Sequence, residues 1–128
     1  MTIPGDRRYS ESHQWARADD HGAILVGITD HAQEMLGDLV FVESPALGRN
    51  LKMGEQCGVV ESVKSASDIH APVSGEVSAV NIDLDTAPEK INQNVYEAWI
   101  FKLKPADPAE MATLLDAEGY QKLVEAQV

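Results

Sequence analysis

The 128-residue chain contains a single cysteine, Cys57. One thiol cannot close a disulfide within the chain or supply a multi-thiolate zinc site, so the fold must be held by packing. Cations are scarce as well: ten Lys plus Arg stand against 21 Asp plus Glu, for a formal net charge of −11. Such a surface repels phosphate backbones and anionic headgroups, which argues against nucleic acid and membrane surfaces as partners. No apolar run approaches transmembrane length, and the opening "MTIPGDRRYSESH" carries arginines without an apolar signal core, so a cytoplasmic location is the expectation. The histidines at 13, 21, 31 and 70 lack the close spacing of a metal site, and no local signature of a cysteine hydrolase surrounds Cys57. No metal is expected, and an enzyme is the least supported class.

A hydrophobic content of 44% suffices for one modest core, so residues 1–128 read as a single domain. "AILVGI" (Ala23 to Ile28) and "DLVFVES" (Asp38 to Ser44) have the length and β-branched content of strands. Between them Thr29 or Asp30 can cap a short helix that Gly37 ends, with Ala32, Met35 and Leu36 on one apolar face. "QCGVVESV", "SDIHAPV", "GEVSAVNI" and "AWIFKLK" predict four further strands, separated by turn residues and one longer polar segment. After "KPADPAE" the spacing of Met111, Leu114 and Leu115, then Tyr120, Leu123 and Val124, predicts one or two C-terminal helices on the sheet. The fold class is mainly β, a small barrel or sandwich with a short internal helix and C-terminal helices.

Within "VVESVKSASDIHAPVSG" (Val59 to Gly75), Lys64 lies between two strand-like runs and is followed by small Ser65, Ala66 and Ser67. At a hairpin tip its amine is presented on a stiff mount, open to an enzyme that would acylate it. Most turn lysines are merely solvated, and spacing alone does not set this one apart. Gly54 and Gly75 lie ten residues before and eleven after Lys64, a weak symmetry that suggests two strand-turn halves folded about the lysine.

"SHQW" (Ser12 to Trp15), "VGITDHAQEMLGDLVFVE" (Val26 to Glu43), "GVVESVKSASDIHAPVSGEV" (Gly58 to Val77) and "WIFKLKP" (Trp99 to Pro105) together resemble the lipoyl-carrying H protein of the glycine cleavage system. The resemblance implies a lipoyl-domain-like barrel-sandwich hybrid with no active site of its own. It implies lipoic acid in amide linkage on Lys64, attached by a lipoate ligase or lipoyltransferase. The swinging arm would carry an aminomethyl group from a glycine decarboxylase to an aminomethyltransferase, then be reoxidised by dihydrolipoamide dehydrogenase. Glu61 and Asp68 flank the lysine and would help the ligase or partners recognise the turn, or serve only as solvated hairpin carboxylates. Ser12 and position 14 would contact the loaded arm.

The chain departs from the family pattern in three places. Gln14 stands where the family usually has a glutamate thought to hold the aminomethyl ammonium, replacing a charge-assisted bond of about 1.5–3 kcal/mol by a neutral one of about 0.5–1.5. "NQNVYEAW" (Asn92 to Trp99) lacks the family's usual Pro-Tyr and glycine. Cys57 replaces a common aromatic; sharing a strand face with Val59, Glu61 and Val63, it reads as a buried inert thiol, against the sharper idea of exchange with the lipoyl ring. The first two departures favour a related lipoate-binding carrier of a heterodisulfide-reductase-like sulfur-oxidation complex, which has no ammonium to hold. An unmodified regulatory or interaction module is the alternative of another class. Biotin attachment is disfavoured, because Val63 and Ser65 flank the lysine where biotin carriers usually have methionines.

Overall fold

The structure is a computed structural model and describes residues 1–127. Its strands form two antiparallel sheets. The larger sheet takes in Arg8–Tyr9 (β1), Gln14–Ala18 (β2), Ile24–Ile28 (β3), Asn50–Leu51 (β5), Gly75–Val80 (β8) and Phe101–Pro105 (β9), in the order β1-β2-β3-β9-β8-β5. The smaller sheet is Leu39–Glu43 (β4), Gln56–Ser62 (β6) and Ala66–His70 (β7), with β6 in the middle. β3 is buried over its whole length, as its unbroken aliphatic run requires. Its side chains join those of β4, β6, β7 and β9 in the main core, which includes Val26, Val60, Ile69, Phe101 and Leu103.

The segment from Asn50 to Glu76 folds back on itself about the β6–β7 turn. Glu61 faces Ala66, Val59 faces Asp68, and Gln56 faces His70. Beyond that hairpin the fold-back continues as Leu51 opposite Gly75 and Asn50 opposite Glu76 in the other sheet. The two glycines are not partners: the Gly54 amide donates to Ala71 O at 2.7 Å. Gly75 is needed for a close approach, since a Cβ there would lie 2.4 Å from the Lys104 carbonyl oxygen.

Asp30–Leu36 (α1) forms as its capping residues predict, with Thr29 Oγ1 accepting from the Ala32 amide and Gly37 closing the helix at φ 82°. Its predicted apolar face is only partly inside: Leu36 is buried, whereas Met35 is 61% exposed. The polar stretch after β8 contains two single-turn helices, Asp83–Thr86 (α2) and Lys90–Gln93 (α3), which bury Leu84 and Ile91. The predicted strand at "AWIFKLK" starts only at Phe101; Ala98, Trp99 and Ile100 are irregular and follow a turn at residues 95–97, although the Ile100 amide already donates to Val26 O at 2.7 Å. The C-terminal segment is a 3₁₀ turn at Pro108–Thr113 followed by Ala117–Ala126 (α4), capped by Asp116.

The assumed alternation on β6 is also broken. A register shift between Gln56 and Gly58 breaks the period of two, so Cys57 and Val60 are both buried; Val63, grouped with Cys57 by simple alternation, lies beyond the end of β6 and is 89% exposed.

β1, β2 and α4 build a second, smaller core of Tyr9, Trp15, Leu25, Tyr120 and Val124. Trp15 lies over Gly27 on β3, where a Cβ would fall 2.5 Å from the indole. Its Nε1 donates to Val95 O at 3.2 Å, and the Arg7 guanidinium lies 4.7 Å from the Trp15 ring and 5.1 Å from that of Tyr96. The unusual Asn92 to Trp99 segment is therefore tied into this aromatic core.

Candidate functional site

Val63 and Lys64 are the two residues of the β6–β7 turn, and both are exposed. Two-residue hairpin loops favour backbone with positive φ and hence glycine or asparagine. Here neither residue has it, and Ser62 closes the turn with its side chain instead. The Ser62 amide donates to Ser65 O at 2.7 Å, while Ser62 Oγ accepts from the Ser65 amide at 3.1 Å. A serine that reads as filler thus fixes the direction in which Lys64 leaves the sheet.

The lysine stem leans toward the corner between α1 and β4. A Cβ on Gly37 would sit 3.5 Å from Lys64 Cε and 3.9 Å from Nζ, in ordinary van der Waals contact. Asn92 clamps that corner from α3: its Nδ2 donates to Gly37 O at 2.9 Å and to Gln33 Oε1 at 3.0 Å, and its Oδ1 accepts from the Leu39 amide at 2.9 Å. In the sequence, Asn92 is only the start of an altered loop. No local motif marks a side chain whose three partners lie more than fifty residues away.

Beside the turn, a cleft of about 220 Å³ separates α1 and the Ser12–Gln14 stretch from β7. Ser12, Gln14 and Asp68 all line it, together with Met35, Ser65 and Ser67. Glu61 is half-buried on β6, opposite Phe41 on one side and Ala66 on the other, and does not line the cleft. Gln14 is 1% exposed and internally satisfied. Its Oε1 accepts from Ser10 Oγ at 2.9 Å and from Ser12 Oγ, and its Nε2 donates to Ser12 O at 2.9 Å. Asp68 is exposed and is the cleft's one carboxylate.

His13 closes one end of the cleft in a left-handed conformation, φ 71°, that histidine tolerates better than most residues. Its Nδ1 is 2.7 Å from Tyr120 Oη, which is 2.7 Å from Thr29 Oγ1. Burial, and then the neighbouring His31, hold its pKa below the ordinary 6.5. Cys57 is buried at the far end of β6, with Sγ 3.5 Å from Ile69 O and burial pushing its thiol up to about 12. Six residues of chain lie between it and Lys64, roughly 20 Å at strand rise. The inert reading of this cysteine is the one its surroundings support.

Among the described residues no cluster of His, Cys, Asp or Glu could hold a metal ion, and no helix is long and apolar enough to cross a membrane. A covalently attached acyl group suits the site better. The amine is exposed, the three residues after it are small and exposed, and a cleft lies within reach of its stem.

The family model for the glycine cleavage H-protein matches residues 7–127. The glycine cleavage system H protein of Nitrosospira multiformis is 58% identical over 127 residues, covering 99% of this chain and 98% of its own. That of Thiobacillus denitrificans is 57% identical over the same length and shares. The crystal structure of a glycine cleavage system H protein from Mycobacterium marinum superposes with a TM-score of 0.87 at 39% identity, covering 96% of this chain and 99% of that one. These matches favour the glycine cleavage carrier over the sulfur-oxidation carrier and the unmodified module, in spite of Gln14 and the Asn92 to Trp99 segment. The two-sheet scaffold, the side-chain-closed lysine turn and these likenesses lead to one assignment: the chain belongs to the glycine cleavage H-protein family, non-catalytic carriers that hold lipoic acid covalently on a lysine.

Proposed function

We propose that Lys64 is the lysine that carries the lipoyl group, and that residues 1–128 act as one carrier domain in the cytoplasm. The observation that carries this reading is the exposed amine on a two-residue turn closed by Ser62, set beside a cleft. A lone thiol that is buried and unpaired is consistent with a reducing compartment. The attached group would supply a dithiolane able to take up a one-carbon amine unit and two reducing equivalents. The chain's own contribution is reach and orientation. The flexible lysine stem sets the swing, while the β6–β7 ladder and the Asn92 clamp fix where the swing begins.

Family membership implies glycine decarboxylase, aminomethyltransferase and lipoamide dehydrogenase as partners. A lipoate ligase or lipoyltransferase must also act on the chain to acylate Lys64. In the cleft, Ser12 and Gln14 form one wall and Asp68 stands on the other. Gln14 has no charge to offer, and its Oε1 already accepts two hydroxyl donors. A cation held there would therefore be stabilised mainly by Asp68, whose position on exposed β7 leaves it partly screened by water. Glu61, outside the cleft, is better placed for recognition by the attaching enzyme.

Mass spectrometry of protein made alongside active lipoylation enzymes tests the assignment. The expected result is a lipoyl amide on Lys64 and none on Lys64→Arg. An unmodified Lys64, or modification of the Lys64→Arg chain at another lysine, would overturn it.

A further inference from the structure

The surface around Lys64 carries more apolar area than a solvated hairpin needs. On β4 the register shifts between Leu39 and Phe41, and this bulge turns two consecutive apolar side chains outward. Val40 is 54% exposed and Phe41 49%. β4 is an edge strand of its sheet, where exposed apolar residues are a liability that proteins normally avoid. Leu39 and Phe41 pair with Ser62 and Glu61, so the bulge adjoins the lysine turn. Val63, in the turn itself, and Met35, two residues before Gly37 and on the rim of the cleft, are exposed as well.

The rim has one sign. From residue 30 to residue 48 the sequence contains no lysine or arginine, while Glu34, Asp38 and Glu43 are exposed there. Glu61 adds a further carboxylate, and none of these four is in a salt bridge among the described residues. An apolar centre with a rim of unpaired carboxylates fits a partner whose entrance is apolar and ringed by basic side chains.

We propose that the patch formed by Met35, Val40, Phe41 and Val63 is the docking surface for the enzyme that transfers the lipoyl group to Lys64. This rests on the assignment of Lys64 as the attachment site. Geometry selects this partner over the others. Enzymes that act on the dithiolane work at the far end of a long arm and need not touch its root. The acylating enzyme must bring an activated lipoyl carbonyl to Nζ itself, so its surface has to close on the turn. In that step the unprotonated Nζ attacks the carbonyl carbon of an activated acyl donor, such as an acyl adenylate. A C–N amide bond replaces the bond to the leaving group, which departs with its electron pair, and the nitrogen gives its surplus proton to base. No oxidation or reduction occurs.

The test compares two reactions of one variant. Val40→Ser/Phe41→Ser changes only exposed side chains, and its melting temperature establishes that it is folded. With a lipoate ligase, ATP and lipoate, kcat/KM for modification of the double variant is expected to fall at least about tenfold, and to fall further as salt rises. Variant brought to full lipoylation by long incubation is expected to be turned over by dihydrolipoamide dehydrogenase within about twofold of wild type. Modification at the wild-type rate, or an equal loss in both reactions, would overturn the docking surface alone. A wild-type chain that is never modified at Lys64 would overturn the attachment assignment and this proposal with it.

Discussion

The two ends of this molecule treat large side chains in opposite ways. Where β1, β2 and α4 meet, Tyr9, Trp15 and Tyr120 are completely buried, Tyr9 stacks on Tyr120 with centroids 4.8 Å apart, and Arg7 is inserted beside Trp15 and Tyr96. At the β6–β7 tip, Val63 is 89% exposed, and Val40 and Phe41 beside it are about half exposed. One end spends its apolar area on cohesion and the other leaves it in water. The mount of Lys64 is made instead by hydrogen bonds, those of Ser62 in the turn and of Asn92 at the Gly37 corner. The tip contributes little to stability, which leaves its side chains free to serve partners.

Removing an aromatic from the buried end should give the largest effect. Trp15→Ala deletes a side chain with no exposed surface that covers Gly27 and donates to Val95. A loss of about 3–5 kcal/mol is expected from urea denaturation. At a temperature where the variant remains folded, Lys64 should still be lipoylated at close to the wild-type rate. If modification fell together with stability in the folded variant, the two ends would not be independent.

Asn92→Ala is intermediate because Asn92 links the two regions. It removes three hydrogen bonds at a half-buried side chain, a loss of about 1–3 kcal/mol. Unlike the tryptophan change, it should act locally at the tip. The Leu39 amide, which now donates to Asn92 Oδ1, should exchange with solvent at least about tenfold faster, while the amides of β3 slow or speed only with global stability. Equal changes at Leu39 and β3 would mean that the Gly37 corner is held by the fold as a whole.

The same contrast explains what could be read in the sequence. β3, α1, β6 and the Lys64 turn were legible because their signals are local: an aliphatic run, a Thr cap with a Gly stop, a lysine among small residues. β2 was not. "QWARA" has no β-branched residue, and it becomes a strand because β3 and β1 pair with it on either side. The exposure of Met35, the bulge that exposes Val40, and the register shift that buries Cys57 with Val60 all depend on neighbouring strands. Periodicity within one segment contains no information about them. In the site, Lys64, Ser12, Gln14 and Asp68 were named from the sequence, yet only the fold brings the last three to one cleft. The roles of Ser62 and Asn92 are not legible in the sequence, since a hydrogen bond to a turn or across more than fifty residues leaves no pattern.

The smallest expected effect concerns the junction between the two ends. His13 lines the cleft, and its Nδ1 meets Tyr120 Oη, which continues to Thr29 at the cap of α1. It faces the His31 ring from α1 at 4.8 Å, Tyr120 from α4, and Gln127 beyond that helix. Burial and His31 lower its pKa in the folded chain below the 6.5 of an unrestrained histidine. The unfolded chain therefore binds this proton at a higher pH than the folded one. The contribution of His13 to stability is complete above about pH 6.5 and is lost as pH falls toward the depressed folded value, below which the dependence is flat. The group is partly open to water, so a shift in Tm of about 2 °C or less is expected across that window. His13→Asn preserves tolerance of the left-handed backbone and removes the titration. Its Tm should vary less steeply than wild type as pH falls below 6.5, after any uniform offset from the lost Tyr120 contact. Parallel curves would show that the proton taken up on unfolding in this range goes elsewhere, and the aromatic end would then be insensitive to the charge on the residue that joins it to the cleft.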